Sequence, residues 1–213
     1  MTVTNPPRLA TWLLQRFASG SRGESLVGDL LEQYQQKRSP AWYWRQVVIA
    51  ILASTASDVA AHKLLAVRAV AVGGLASVLF TVPVHWLGEI AHASIDDWLA
   101  ASGHYSFWPV FLSGPVSGTF LECVAGAAIG WIVARLHRAH AAAMVCLVSA
   151  SILLFEAGLV TLLLSTQSHG PMPQAALMLA PLLAMGKPLG VLIGGLLSVR
   201  SDRDSLSAIS QQP

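Results

Sequence analysis

Four long apolar stretches constrain this chain more than any other feature, and they cover residues 69–88, 116–134, 141–165 and 175–199. Each approaches or exceeds the roughly 20 residues that a helix needs to cross about 30 Å of hydrocarbon. The composition agrees, because 54% of the residues are hydrophobic and only 11% are charged, which is far from the average of soluble proteins. The expected fold class is therefore all-α, with a four-helix transmembrane bundle.

The lysines and arginines lie on alternate sides of these stretches. Eight precede the first stretch, the second loop holds Arg135 and Arg138, the tail holds Arg200 and Arg203, and the first and third loops hold none. The positive-inside rule then predicts that both termini are cytoplasmic. The formal net charge of +2 reflects this topology, so no nucleic-acid partner is expected.

Residues 1–65 have a different character and predict a cytoplasmic prefix of three helices. Apolar residues recur at helical spacing, and Ser39 with Pro40 fits the N-cap and first turn of the third helix. The first two helices have too little core to be stable alone, so they should lean on the third helix, the membrane or a partner. The predicted organisation is a prefix over 1–65, a bundle over 66–199 and a flexible cytoplasmic tail over 200–213.

The third prefix helix contains an apolar run, residues 47–57, that raises the question of a fifth span. The run has only 11 residues and positive charges on both sides, whereas a span would place one set of those charges outside. We therefore favour a helix in the membrane interface. It would hold Trp42, Tyr43 and Trp44 at headgroup level, with Arg45 reaching lipid phosphates.

Two motifs in the prefix carry a family resemblance: Gly28-Asp29-Leu30-Leu31-Glu32-Gln33-Tyr34 and Ala41-Trp42-Tyr43-Trp44-Arg45-Gln46. Together they resemble the bacterial permease prefix domain of the second type. In that family, a Gly-Asp-Leu-acidic-Tyr core and a Trp-Tyr-Trp-Arg-Gln ending precede the first membrane helix of ABC-type permeases of the macrolide-exporter and cell-division-permease superfamily. The matching residues are Gly28, Asp29, Glu32, Tyr34, Trp42, Tyr43, Trp44, Arg45 and Gln46.

The resemblance covers about a quarter of the chain and implies a bacterial cytoplasmic (inner) membrane location. It leaves the role of the prefix open between a packing element and a docking site. Those permeases carry a large extracytoplasmic domain after the first span, whereas about 27 residues separate the first two stretches here. No Gly-rich loop ending in Gly-Lys-Ser or Gly-Lys-Thr occurs either, so export by that mechanism is not implied.

Three ionisable residues fall inside the predicted spans: Glu122, Glu156 and Lys187. All three lie within roughly 5 Å of the bilayer midplane at 1.5 Å per residue. Charges at that depth are costly, so they normally face a bundle interior and pair. One interpretation is a structural salt bridge from Lys187 to either glutamate, with the other glutamate protonated. The other interpretation is a polar path for protons or a small ion, and we favour the structural one.

Glycines spaced by four residues lie beside two of these charges. They are Gly118, Gly126 and Gly130 around Glu122, and Gly186, Gly190 and Gly194 around Lys187. Small residues at this spacing let membrane helices approach closely. We therefore expect both ridges to be helix-packing surfaces.

His85, Glu89 and His92 share one helical face at the outer end of the first span. They could bind a metal with His104 or His169 as a fourth ligand. Histidines at a membrane boundary are also ordinary interfacial residues, and we favour that interpretation and predict no metal and no cofactor. No nucleophile and base are arranged for catalysis, so the chain is not expected to be an enzyme.

The function expected from the sequence is that of an interaction or regulatory subunit of a membrane assembly, such as a transporter assembly. Its partner would be the lipid bilayer together with another membrane protein or a second copy of the chain. That partner would dock at the prefix or on the glycine-lined faces. The alternative is a small proton- or ion-coupled transporter that uses Glu122, Glu156 and Lys187.

Overall fold

The computed structural model describes residues 6–17, 21–35, 39–103, 107–166 and 184–198, and these residues form no strand. The helices are α1 (Arg8–Phe17), α2 (Ser21–Gln35), α3 (Pro40–Ala61), α4 (Lys63–Ala101), α5 (Phe107–Leu136), α6 (Ala141–Thr166) and α7 (Ala184–Ser198). A single 3-10 turn, Arg138–His140, joins α5 to α6. The all-α class predicted from the sequence is confirmed over the described residues.

The chain divides into two compact units, Met1–Lys63 and Leu64–Pro213. The division falls close to the predicted end of the prefix at residue 65. The predicted start of the tail, residue 200, lies outside the described residues.

Within the described part of the chain, three helical segments are long and apolar enough to cross a membrane: Lys63–Ala101, Val116–Leu136 and Arg138–Leu162. They contain most or all of the first three apolar stretches. The fourth stretch, 175–199, is described only as the shorter apolar helix α7, because its first nine residues lie outside the described ranges. Helix α3 has 22 residues and is not among the three segments.

The prefix unit has its own hydrophobic core, to which each of its three helices contributes. Its buried members are Ala10 and Leu14 of α1, Leu30 and Tyr34 of α2, and Tyr43 and Val47 of α3. Burying a side chain the size of leucine or phenylalanine stabilises a fold by about 1.5–3 kcal/mol. Helices α1 and α2 therefore pack against the third helix, which is one of the three sources of stability predicted for them. The Ser39 hydroxyl caps α3 by accepting a hydrogen bond from the Trp42 amide at 3.2 Å.

Tyr43, in the middle of the Trp-Tyr-Trp-Arg run, is a core residue of the prefix unit. Its side chain is fully buried, with its ring edge-on to Tyr34 at 5.2 Å between centroids, and its hydroxyl shares a hydrogen bond of 2.9 Å with the Thr11 hydroxyl. Residues 43 and 47 lie one turn apart on the face of α3 that packs in this core. Arg45 on the same helix is exposed, and the interfacial position of α3 stays a prediction.

Helix α4 is longer than the first apolar stretch and includes part of the segment that was predicted to be the outer loop. Its 39 residues extend about 58 Å at 1.5 Å per residue, well beyond the hydrocarbon thickness. The sequence after residue 88 contains no helix breaker until Gly103, which adopts a left-handed φ of 69° where the helix has ended. The segment between the first two spans is therefore largely helical.

Candidate functional site

Lys187 of α7 lies between two glutamates that belong to two other helices. Its Nζ atom is 2.9 Å from Oε2 of Glu122 on α5 and 3.4 Å from Oε1 of Glu156 on α6. The side chains of Lys187, Glu156 and Glu122 are 8%, 19% and 30% exposed, respectively. We call these three residues the ion triad. The sequence predicts a salt bridge from Lys187 to either glutamate, whereas in the structure Lys187 contacts both.

The contact of Lys187 with Glu122 is ionic in character. Glu122 Oε2 is buried and lies within ion-pair distance of Nζ, yet it has no hydrogen-bond partner among the described residues. The Lys187–Glu122 contact is therefore an ion pair and not a hydrogen bond. A pair of this kind contributes mainly through charge, so its value depends on how well water is excluded.

Helices α5 and α7 approach one another through glycine. A Cβ atom on Gly126 or Gly130 would overlap the main-chain carbonyl of Lys187 or Val191, respectively. Reciprocally, a Cβ on Gly190 or Gly194 would overlap main-chain carbonyls of α5. The two backbones thus touch directly, as the glycine spacing predicted.

The remaining two glycines of the predicted ridges behave differently. A Cβ on Gly118 would meet nothing within 4 Å, and one on Gly186 would lie 3.1 Å from Thr119. Since the close glycine surfaces face each other inside the chain, they are not free to receive a partner. The expectation that a partner docks on the glycine-lined faces is therefore wrong for Gly126, Gly130 and their two counterparts on α7.

A buried hydrogen bond fixes α6 against α7 near the triad. The Ser149 hydroxyl of α6 donates to the main-chain carbonyl of Pro188 at 2.9 Å. Pro188 directly follows Lys187, so this bond sets the rotation and depth of the turn that carries the ammonium. Sequence reasoning missed Ser149, because a single serine in an apolar helix usually donates to its own helix, as Ser151 does to the Leu147 carbonyl at 2.8 Å.

A groove between α4 and α5 leads to Glu122. It encloses about 310 Å³ and is lined by Thr81, Val84, His85, Gly88, Glu89, His92, Gly118 and Glu122. The groove therefore brings the outer histidine cluster and the intramembrane charge of Glu122 to one surface. In the sequence these two sets of residues look separate. We call it the polar groove.

The histidines of the polar groove pair along their own helix. His85 Nε2 lies 4.0 Å from Oε1 of Glu89, with both side chains well exposed, and His92 Nε2 lies 3.5 Å from Oδ2 of Asp96. Across the described ranges, no three side chains of the metal-binding types converge on one point. The proposed fourth ligands, His104 and His169, lie outside those ranges.

The residues of the prefix motifs divide between the core and the surface. Tyr34 and Tyr43 are buried, and Trp42, Trp44 and Gln46 are half-buried. The exposed members are Gly28, Asp29, Glu32 and Arg45. The motif thus contains both the residues that build the prefix core and a set available at its surface.

Comparison with known proteins adds no relative. No protein-family model matches the chain. No curated protein and no solved structure is similar enough to count as a match. The relation to the permease prefix domain therefore stays a prediction, and functional inference depends on the geometry.

Proposed function

We propose that the protein is a multi-pass protein of the bacterial cytoplasmic membrane, with four spans and both termini in the cytoplasm. In this proposal it acts as an interaction or regulatory subunit of a membrane assembly. The observation that carries the proposal is the prefix, since Met1–Lys63 is a compact unit with a core of its own. A separately packed unit ahead of the first span is suited to contact another protein at the membrane surface.

Helix α1 supplies the surface that best fits a partner. It buries Ala10 and Leu14 in the prefix core but leaves Leu9 60% and Trp12 48% exposed. Leu9 and Trp12 are three residues apart and therefore share a face of the helix. Tryptophan is strongly enriched among the residues that dominate binding energy at protein interfaces, so we assign the contact with a membrane-protein partner to this face.

Crosslinking and pull-down from native membranes test the assignment. The Leu9→Ala/Trp12→Ala variant should insert normally but lose the partner that the wild-type chain captures. Leu52→Ala is the matched control, because Leu52 is 62% exposed on α3, on the helix assigned to lipid. Point variants are preferable to removing α1 and α2, since that deletion would expose Tyr43. Capture that is unchanged by the double variant would contradict the proposal.

Ion-coupled transport is the second candidate function. The observation that favours it is the polar groove, because a path for an ion requires more than buried charges and Glu122 lines this groove. Transport would use Glu122, Glu156 and Lys187 together. It predicts ion flux into vesicles reconstituted with the pure chain, whereas an interaction subunit alone gives none.

A further inference from the structure

We infer that the ion triad holds one exchangeable proton, and that this proton reaches Glu122 through the polar groove. The proton would be the ion carried in the second candidate function, and any role of this proton in transport rests on that proposed function. Proton binding itself requires only the geometry of the triad and the groove.

Charge balance sets the number of protons at one. Two carboxylates and one ammonium carry a net charge of −1 when all three are ionised. Lys187 can neutralise one glutamate only, and an uncompensated charge deep in a membrane protein is costly. A single proton shared between Glu122 and Glu156 removes the excess while leaving an ion pair to Lys187.

Access to the triad is unequal among its members. Glu122 lines the polar groove and is the most exposed of the three side chains, at 30%, whereas Lys187 is 8% exposed. Glu156 does not line the groove. Exchange with water should therefore occur at Glu122, from the end of α4 that the Lys and Arg distribution places outside.

The groups that face Glu122 favour a proton over a metal ion. From α4 they are His85, Glu89 and His92, the last of which also pairs with Asp96; from α6 it is Glu156, and from α7 it is Lys187. Imidazole nitrogens can both accept and donate a proton. The absence of a converging ligand set among the described residues gives a metal ion no comparable site.

Infrared difference spectroscopy of the reconstituted chain counts the protonated carboxyls directly by their C=O stretch. At neutral pH we expect one such band in the wild type, none in Glu122→Gln and none in Glu156→Gln, because each variant leaves a neutral lysine–glutamate pair. Lys187→Met should show two bands. Glu122→Asp keeps a carboxyl at this position and should show the single band again. That result would indicate that the band is missing in Glu122→Gln because the carboxyl is gone and not because the variant has misfolded. Absence of the band in the wild type, or its persistence in both glutamine variants, would overturn the inference.

A pair of glycine variants tests the route. Gly118 lines the polar groove. A second groove, which is apolar, lies between α4 and α6 and is lined by Gly74. A Cβ atom on either glycine would meet nothing within 4 Å. Gly118→Leu should abolish the fast response of the carboxyl band to a pH jump applied outside the vesicles, while Gly74→Leu should retain it. Equal responses in both variants would refute the route. Vesicles that lack proton flux but keep the titrating band would remove the transport function and leave the inference standing.

Discussion

Replacing the glutamates of the ion triad singly and together should give strongly non-additive losses of stability. At an effective dielectric constant of about 20, attraction to Lys187 amounts to about 6 kcal/mol across 2.9 Å and about 5 kcal/mol across 3.4 Å before desolvation is subtracted. Either glutamate alone can therefore compensate the ammonium. We expect Glu122→Gln and Glu156→Gln each to cost about 1 kcal/mol or less, comparable to one hydrogen bond.

The double variant Glu122→Gln/Glu156→Gln leaves Lys187 buried without a carboxylate, so it should cost about 3–5 kcal/mol. Equilibrium unfolding in lipid bicelles, monitored by steric trapping, measures the loss of unfolding free energy for all three variants on one scale. Glu89→Gln is the control, because its carboxylate is well exposed and its replacement should change little. The reasoning fails if one glutamine variant alone costs as much as the double variant, or if the double variant costs under about 1 kcal/mol.

Three further outcomes follow from the packing and the topology. Gly126→Ala should destabilise the bundle by about 1–3 kcal/mol because the new methyl group meets main-chain atoms of α7, while Gly118→Ala should change unfolding in bicelles by less than about 0.5 kcal/mol. Tyr43→Phe removes the hydroxyl bonded to Thr11 and should cost about 1 kcal/mol, measured as faster hydrogen exchange of amides in α1. Reporter fusions after Arg138 should signal cytoplasm and fusions at Gly103 the outside; the opposite pattern would overturn the assigned orientation.

The features predicted correctly are those that depend on local pattern. Apolar run length locates the three segments that can cross a membrane, and four-residue glycine spacing locates the contact of α5 with α7 because it reports one helix face. The burial of Tyr43 was not predicted, because its aromatic and basic neighbours look like an interfacial belt. Its spacing of four from Val47 was the signal that could have indicated a buried face.

The ion triad and the polar groove could be predicted only in part. The position of each residue within its apolar stretch places Glu122, Glu156 and Lys187 at one level of the membrane. It does not specify the rotation of each helix about its own axis. That rotation depends on contacts such as the Ser149 hydroxyl with the Pro188 carbonyl. The groove depends on the separation of α4 from α5, which no local pattern encodes.

Lys187 follows both glutamates in chain order, which has a consequence for how the protein is made. A ribosome synthesises α5 and α6 first, so Glu122 and Glu156 enter the bilayer before the ammonium that compensates them exists. Until α7 arrives, the triad has no cation, so both glutamates have to be protonated to avoid an uncompensated charge in lipid. The ion pair of the triad therefore forms only when α7 joins α5 and α6. A chain truncated before Lys187 would therefore hold two neutral carboxyls and no ion pair in its bundle.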